Sequence, residues 1–138
     1  MSKIFRLGFV VFLSWDSLVL AQTKKPVFDG LYKMQWTKKS GCTLNVKQLS
    51  QDKLRMELSC QDRGSSGLAF GVLALKNNMA IFRRQVSGLC EITFSFDHQW
   101  VEVNQNGMDV YCGFGMGIYA DGKYDLIQGK APTFKYKE

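Results

Sequence analysis

Residues 42–60 read CTLNVKQLSQDKLRMELSC, and they carry the clearest structural pattern in the chain. Apolar and polar side chains alternate on both sides of the central SQD, which is the pattern of two half-buried β-strands joined by a tight turn. When the strands are aligned so that Leu44 faces Leu58, Cys42 lies opposite Cys60. A shift of one residue would turn the apolar side chains to the other face and separate the sulfurs. The stretch therefore predicts an antiparallel hairpin closed by a disulfide.

The same alternation extends along most of the remaining chain, and short turn signals separate the alternating runs. Asn77-Asn78, Ser87-Gly88, Asn106-Gly107 and Asp121-Gly122 are the turns, and the polar run QDRGSSG at 61–67 is predicted to be a loop. The predicted strands are 28–36, 42–46, 54–60, 68–75, 79–86, 90–96, 100–103, 108–114, 118–120 and 124–127.

Eight to ten short antiparallel strands in sequence predict an all-β meander. Closing such a meander into an up-and-down barrel removes its exposed edges. We therefore predict a small barrel with the general architecture of lipocalins and avidins, as an analogy of architecture alone. A two-sheet β-sandwich is the alternative.

Two short segments of the chain resemble each other. Asp29-Gly30-Leu31-Tyr32 matches Asp121-Gly122-Lys123-Tyr124 at three of four positions. Either a duplicated unit or common turn chemistry accounts for this similarity.

The amino-terminal residues have the three parts of a secretory signal peptide. Lys3 and Arg6 precede an apolar run. The residues just before the expected cleavage point, which follows Ala21, have side chains of small or modest size. Asp16 interrupts the run, whereas a membrane-spanning helix needs about 20 consecutive apolar residues. The sequence predicts a signal peptide over 1–21, a single domain over 22–138 with no transmembrane segment, and a secreted or periplasmic location.

The four cysteines all lie in the predicted mature domain, at Cys42, Cys60, Cys90 and Cys112. An even number of cysteines in an exported chain favours two disulfides. Zinc is disfavoured because the chain has one histidine and no C-x-x-C motif. Pairing of Cys90 with Cys112 follows as the remainder once the first hairpin is closed.

The second disulfide presents a geometric difficulty. If 100–103 and 108–114 are both strands, Cys90 and Cys112 lie two strands apart, or about 10 Å. A disulfide tolerates no more than about 7 Å between Cα atoms. Either residues 97–107 leave the sheet, or the sheet curls enough to close the gap.

No catalytic, cofactor or metal site can be built from the sequence. His98 is the one histidine, and its neighbour Asp97 would point to the opposite face of a strand. No pair of carboxylates is placed together by spacing. A hydrolase is therefore the least favoured function.

Charge and aromatic content point instead to binding. The chain carries a formal charge of +6, and Lys3, Arg6 and Asp16 are the charged residues of the predicted signal peptide. A moderately positive exported domain suits an anionic envelope component or an acidic protein. The inward aromatic side chains suit either a cavity for a small apolar ligand or a solid core. No nucleic-acid partner is predicted.

The candidate partner-binding residues are a pair of arginines and a neighbouring loop. Arg83 and Arg84 lie in one predicted strand, and strand polarity places them at the same end of the sheet as the predicted loop. Long loops on a rigid β scaffold are favoured places for binding residues. The loop residues concerned are Asp62, Arg63, Ser65 and Ser66.

The sequence thus favours an exported non-enzymatic binding module. A structural or stress-associated envelope protein without a ligand pocket is the alternative.

The predicted signal peptide makes a direct test possible. Cleavage between Ala21 and Gln22 removes a segment whose small residues suit signal peptidase. We expect the exported protein to begin at Gln22, and its intact mass measures this. Retention of residues 1–21 in the exported protein would contradict the prediction.

Overall fold

The computed structural model describes residues 27–130 and 133–136, so the predicted signal peptide lies outside the described residues. Eight strands and one turn of 3-10 helix make up the fold. The strands are β1 (Gly30–Gln35), β2 (Gly41–Ser50), β3 (Lys53–Asp62), β4 (Ser65–Lys76), β5 (Met79–Gln85), β6 (Leu89–Phe96), β7 (Trp100–Asn106) and β8 (Gly122–Gln128).

Each strand pairs antiparallel with the next along the chain, and β1 pairs with β8 to close a barrel. The predicted all-β barrel is confirmed, and the sandwich alternative is excluded. Closure gives β1 and β8 the partners that they would lack in an open sheet.

The first hairpin has the register that its sequence predicts. Leu44 lies opposite Leu58 and Cys42 lies opposite Cys60. The two sulfurs are bonded at 2.01 Å, and the Cα atoms of the two cysteines are 4.1 Å apart. Hydrophobic pattern and covalent bond therefore fix the same register.

The barrel interior is filled by side chains rather than hollow at its centre. The inward positions of neighbouring strands supply a continuous apolar core. The largest fully buried side chains are Tyr32, Leu44, Val46, Leu54, Met56, Leu58, Ile92, Phe94, Val101, Val103, Ile118 and Tyr124.

The two ends of the barrel are closed differently. At one end, the Phe28 end, the ring of Phe28 stacks on Phe96 with centroids 4.9 Å apart. Both disulfides lie toward the other end, which we call the disulfide end. Residues 107–121, the mouth segment, connect β7 to β8 there, and Phe114 and Ile118 of this segment are buried.

The predicted loop at 61–67 is wrong. β3 continues to Asp62 and β4 begins at Ser65, so that only Arg63 and Gly64 form the turn. Both turn residues have left-handed backbone angles, with φ of 47° and 84°, as a tight two-residue hairpin requires. Polar composition misled the prediction, because these are strand residues at the rim of a barrel.

The predicted strands at 108–114 and 118–120 are also wrong. Asp109–Cys112 is a 3-10 turn, and Met108 is half exposed rather than inward-facing. The carboxylate of Asp109 accepts the N–H of Val110 at 2.7 Å and that of Gly117 at 2.6 Å. These hydrogen bonds hold the connection between β7 and β8 in a folded conformation. The turns predicted at 106–107 and 121–122 therefore do not form tight hairpins, and β7 pairs directly with β8.

This connection resolves the difficulty of the second disulfide. Cys112 lies in the 3-10 turn and not on a strand, and its Cα is 4.9 Å from that of Cys90. Residues 100–106 remain in the sheet as β7. The premise that both cysteines lie on strands was therefore wrong, whereas the predicted pairing is confirmed.

The two similar sequence segments have similar structures. The hydroxyl of Tyr32 donates to the carbonyl of Phe28 at 2.8 Å, and that of Tyr124 donates to the carbonyl of Ala120 at 2.7 Å. The preceding aspartates accept backbone N–H groups of neighbouring strands, Asp29 from Gln48 and Asp121 from Gln105. Each segment thus fixes the start of one of the two strands that close the barrel.

Burial raises the pKa of the Tyr32 hydroxyl to about 12, and the negative charge of Asp29 adds to the effect. Burial, with a further contribution from Asp121, also raises the pKa of Tyr124. In the unfolded chain a tyrosine ionises near pH 10, at about its ordinary value. The neutral hydroxyls therefore favour the folded state, and their contribution is complete below about pH 10.

We expect the free energy of unfolding to decline as the pH rises from about 10 through about 12, where the tyrosines of the folded state begin to ionise. The variant Tyr32→Phe/Tyr124→Phe should lose about 1–3 kcal/mol at pH 8, since each change leaves a buried carbonyl without its donor. The free energy of unfolding of this variant should then decline less steeply above pH 10 than that of the parent protein. Denaturant unfolding between pH 8 and 12 measures both effects, with the half-exposed Tyr119→Phe as control. If the free energy of unfolding falls with pH as steeply in the double variant as in the parent protein, the prediction is contradicted.

Candidate functional site

The two predicted arginines lie in β5 at the disulfide end, on opposite faces of the strand. Arg83 faces outward, and its Nε lies 3.1 Å from the carboxylate of Glu91. Arg84 occupies an inward register opposite Cys90 but is exposed. A Cβ added to Gly113 would lie 2.6 Å from Nη1 of Arg84, so this guanidinium rests on the mouth segment.

The predicted loop residues lie at the same end, around the turn between β3 and β4. Asp62 is half-buried and accepts a hydrogen bond from the hydroxyl of Ser40 at 2.8 Å. Arg63 is exposed in the turn itself. Ser65 and Ser66 begin β4, and the carbonyl of Ser66 accepts the N–H of Gly115 at 2.8 Å. Asp62 and Ser66 therefore have structural partners, whereas Arg63 projects into solvent.

A groove opens between β4 and β5, because the ladder that joins these strands has only two residue pairs. Leu75 pairs with Ala80 and Lys76 with Met79, and the strands then diverge toward the disulfide end. The resulting β4–β5 groove has a volume of about 380 Å³. Its walls are Leu68, Ala69 and Phe70 on β4 and Phe82, Arg83 and Arg84 on β5.

A second concave surface, the lysine groove, lies on the outer face of β1, β2 and β3 toward the disulfide end. Its volume is about 610 Å³, and no Asp or Glu is among the residues that line it. Ser40, Thr43 and Ser59 are among its lining residues. Four lysines surround it: Lys33, Lys38, Lys39 and Lys135.

Sequence reasoning missed the lysine groove. Lys33 lies in β1, Lys38 and Lys39 lie in the connection after it, and Lys135 lies about a hundred residues further along the chain. The adjacent pair Lys38-Lys39 was the available signal. The closed barrel and the path of the carboxyl-terminal segment bring the four side chains around one surface.

Residues 133–136, the carboxyl-terminal segment, contact the outer face of β3 and β4. Glu57 is 4% exposed, and its Oε2 accepts the N–H of Lys135 at 3.0 Å and that of Tyr136 at 3.2 Å. The ring of Tyr136 stacks on Phe70 with centroids 5.5 Å apart, and Phe134 lies under the guanidinium of Arg55. The segment thus places Lys135 at the lysine groove and Tyr136 beside the β4–β5 groove.

His98 and the potential metal ligands form no group among the described residues. His98 is exposed in a bend near the Phe28 end, and Asp97 accepts its backbone N–H at 2.6 Å. Across 27–130 and 133–136, no three His, Cys, Asp or Glu side chains are grouped to hold a metal ion. Over the same residues, no helix is long and apolar enough to cross a bilayer.

Comparisons of the chain with protein-family models, with curated proteins and with solved structures find no match. The two grooves and the residues that line them are therefore the features of the fold that bear on function.

The buried carboxylate of Glu57 allows the docking of the carboxyl-terminal segment to be tested. Hydrogen bonds to an ionised acceptor are roughly twice as strong as neutral ones. In Glu57→Gln we expect the amides of Lys135 and Tyr136 to exchange with solvent about tenfold faster, since losing roughly half of two bonds is worth about 1–2 kcal/mol. Amide hydrogen exchange followed by NMR measures this.

The matched control for this change is Glu102→Gln, which removes the same charge at an exposed position of β7. It should leave both amides unchanged. Equal acceleration in the two variants would show that general charge, and not the contact with Glu57, holds the segment.

Proposed function

We propose that this domain is an exported, non-enzymatic binding module whose disulfide end engages an anionic partner in the cell envelope or the extracellular space. The observation that carries the proposal is the lysine groove, in which four ammonium groups surround one concave surface without a lining carboxylate. Surface cations are normally interspersed with anions, so a single-sign groove is a favourable place for negative charge.

Three acidic groups near this end are already engaged within the fold. Asp62 is bonded to Ser40, Glu91 to Arg83, and Asp109 to two backbone N–H groups. Within the part of the chain that the structure describes, Arg83 and Glu91 form the one side-chain ion pair. Lys38, Lys39 and Lys135 are therefore available to a partner, while Lys33 lies opposite Asp125 across the β1–β8 pair.

A binding role at the surface also fits the packed interior. The centre of the barrel is occupied by Tyr32, Phe94 and Tyr124, whose side chains are almost fully buried. A small apolar ligand at the centre of the barrel would have to displace this core, whereas an anionic partner needs only the outer faces and rims. Arg83 and Arg84, with Asp62, Arg63, Ser65 and Ser66, remain the predicted second contact of that partner.

The lysine groove makes the proposal testable with simple anionic probes. The probes are vesicles of one part phosphatidylglycerol to three parts phosphatidylcholine, and soluble poly-glutamate. We expect the variant with Lys33, Lys38, Lys39 and Lys135 changed to Gln to bind either probe about tenfold or more weakly at low salt, since exposed charge contacts contribute about 0.2–1 kcal/mol each. The difference should shrink as salt screens the charges.

The control removes the same number of charges at the other end of the barrel. Lys47, Lys53 and Lys76 flank strand ends at the Phe28 end and Lys130 follows β8, and all four are exposed. Changing these four to Gln should weaken binding much less than the first variant. An equal loss in both variants would mean that net charge alone drives adsorption, and the proposed site would be wrong.

A further inference from the structure

We propose that the edge of β4 in the β4–β5 groove binds an extended acidic peptide of a partner protein by strand addition. This inference gives a partner class to the second predicted contact. It rests on the domain being a binding module but not on the lysine groove. Strand addition supplies affinity through backbone hydrogen bonds and specificity through the side-chain surfaces that flank the edge.

Strand alternation shows which backbone groups of β4 face the groove. In an antiparallel strand, both polar backbone groups of one residue point to one neighbour and those of the next residue to the other. The N–H of Leu75 donates to the carbonyl of Asp52, on the β3 side. Residues 69, 71 and 73 therefore also direct their groups toward β3, while Leu68 and Phe70 direct theirs toward the groove.

The mouth segment independently confirms this assignment, because it already uses the same edge. The carbonyl of Ser66 accepts the N–H of Gly115 at 2.8 Å. Ser66 has the same parity as Leu68 and Phe70, so their polar groups point to the same side. The β4 edge is therefore competent to pair with a backbone segment from outside the ladder.

The space between the strands accommodates one chain. At the disulfide end, residues 113–115 approach both strands: Gly113 lies beside the guanidinium of Arg84 of β5, and the N–H of Gly115 donates to the carbonyl of Ser66 of β4. Further from that end, the groove of about 380 Å³ continues between 68–70 and 82–84. A peptide bound there would continue along β4 the pairing that Gly115 begins.

The walls of the groove define the chemistry of the peptide. Leu68, Phe70 and Phe82 offer apolar surface, which suits alternate apolar side chains of an extended segment. Arg84 has no ion-pair partner among the described residues, and its guanidinium can hold a carboxylate through two parallel hydrogen bonds. The expected ligand is therefore an extended peptide with alternating apolar residues and a terminal Glu or Asp.

The experiment uses the mature protein and a library of acetylated, amidated hexapeptides. Each peptide carries one Glu at either end, and its other positions vary among Val, Leu, Phe and Thr. The tightest binder is then resynthesised with a single N-methyl group at each position in turn. We expect alternate N-methyl groups to weaken binding about tenfold, because a net hydrogen bond is worth about 1 kcal/mol or somewhat more, and the intervening ones to have little effect.

The protein should show the same alternation. On peptide binding, the amides of Leu68 and Phe70 should exchange with solvent about tenfold more slowly, while that of Ala69, already directed toward β3, should not change. Arg84→Gln should weaken binding of the peptide about tenfold, since hydrogen bonds to charged groups contribute about 1.5–3 kcal/mol. Lys123→Gln removes one positive charge at an exposed position near the start of β8, outside the groove, and should have little effect.

Three outcomes would overturn the inference. They are the absence of any binder in the library, binding that is insensitive to N-methylation, and an equal loss of affinity in Lys123→Gln and Arg84→Gln. Each of these would leave the proposed function standing if the lysine variants still lose their salt-dependent binding. Failure of the lysine experiment alone would leave strand addition standing.

Discussion

The bond between Cys90 and Cys112 is the constraint on which the disulfide end depends. It ties the mouth segment to the start of β6, and Phe114 and Ile118 of this segment are buried in the core. The same segment lies between the start of β4 and the end of β5, contacting Ser66 on one side and Arg84 on the other. The disulfide that completes the core at this end therefore also holds the segment that contacts both β4 and Arg84 of β5.

Glycine makes this close packing possible at two points. A Cβ at Gly67 would lie 2.7 Å from the ring of Phe114, and Gly113 has a left-handed φ of 72°. A side chain at the first position would drive the mouth segment away from β4, and one at the second would strain the turn and push on Arg84. The position of the groove is thus set by residues that have no side chains.

The sequence predicted the barrel well where two independent signals agreed. In the first hairpin, the period of two and the cysteine positions demand one register, and the structure has that register. The mouth segment misled the same reasoning, because Met108, Val110, Cys112 and Phe114 alternate as a strand would. Hydrogen bonds of the Asp109 carboxylate favour a folded turn there, and side-chain periodicity cannot reveal such bonds.

The candidate sites were predictable only in part, for a related reason. Arg83 and Arg84 stood out because two charges adjoin inside an apolar strand, and strand polarity alone placed them near residues 62–66. The lysine groove combines residues from a strand, a turn and a distant segment, so its charge density exists only after the barrel closes. The direction of a strand can be inferred from the local sequence, but the meeting of distant segments at one surface cannot.

The docked carboxyl-terminal segment gives the two grooves a thermodynamic connection. Four residues held by Glu57 place Lys135 at one groove and set Tyr136 against Phe70, which lines the other. A ligand that lifts the segment from either surface must change the free energy of occupying the other. Such linkage is reciprocal, so the factor by which the first ligand alters the affinity of the second equals the factor by which the second alters the first.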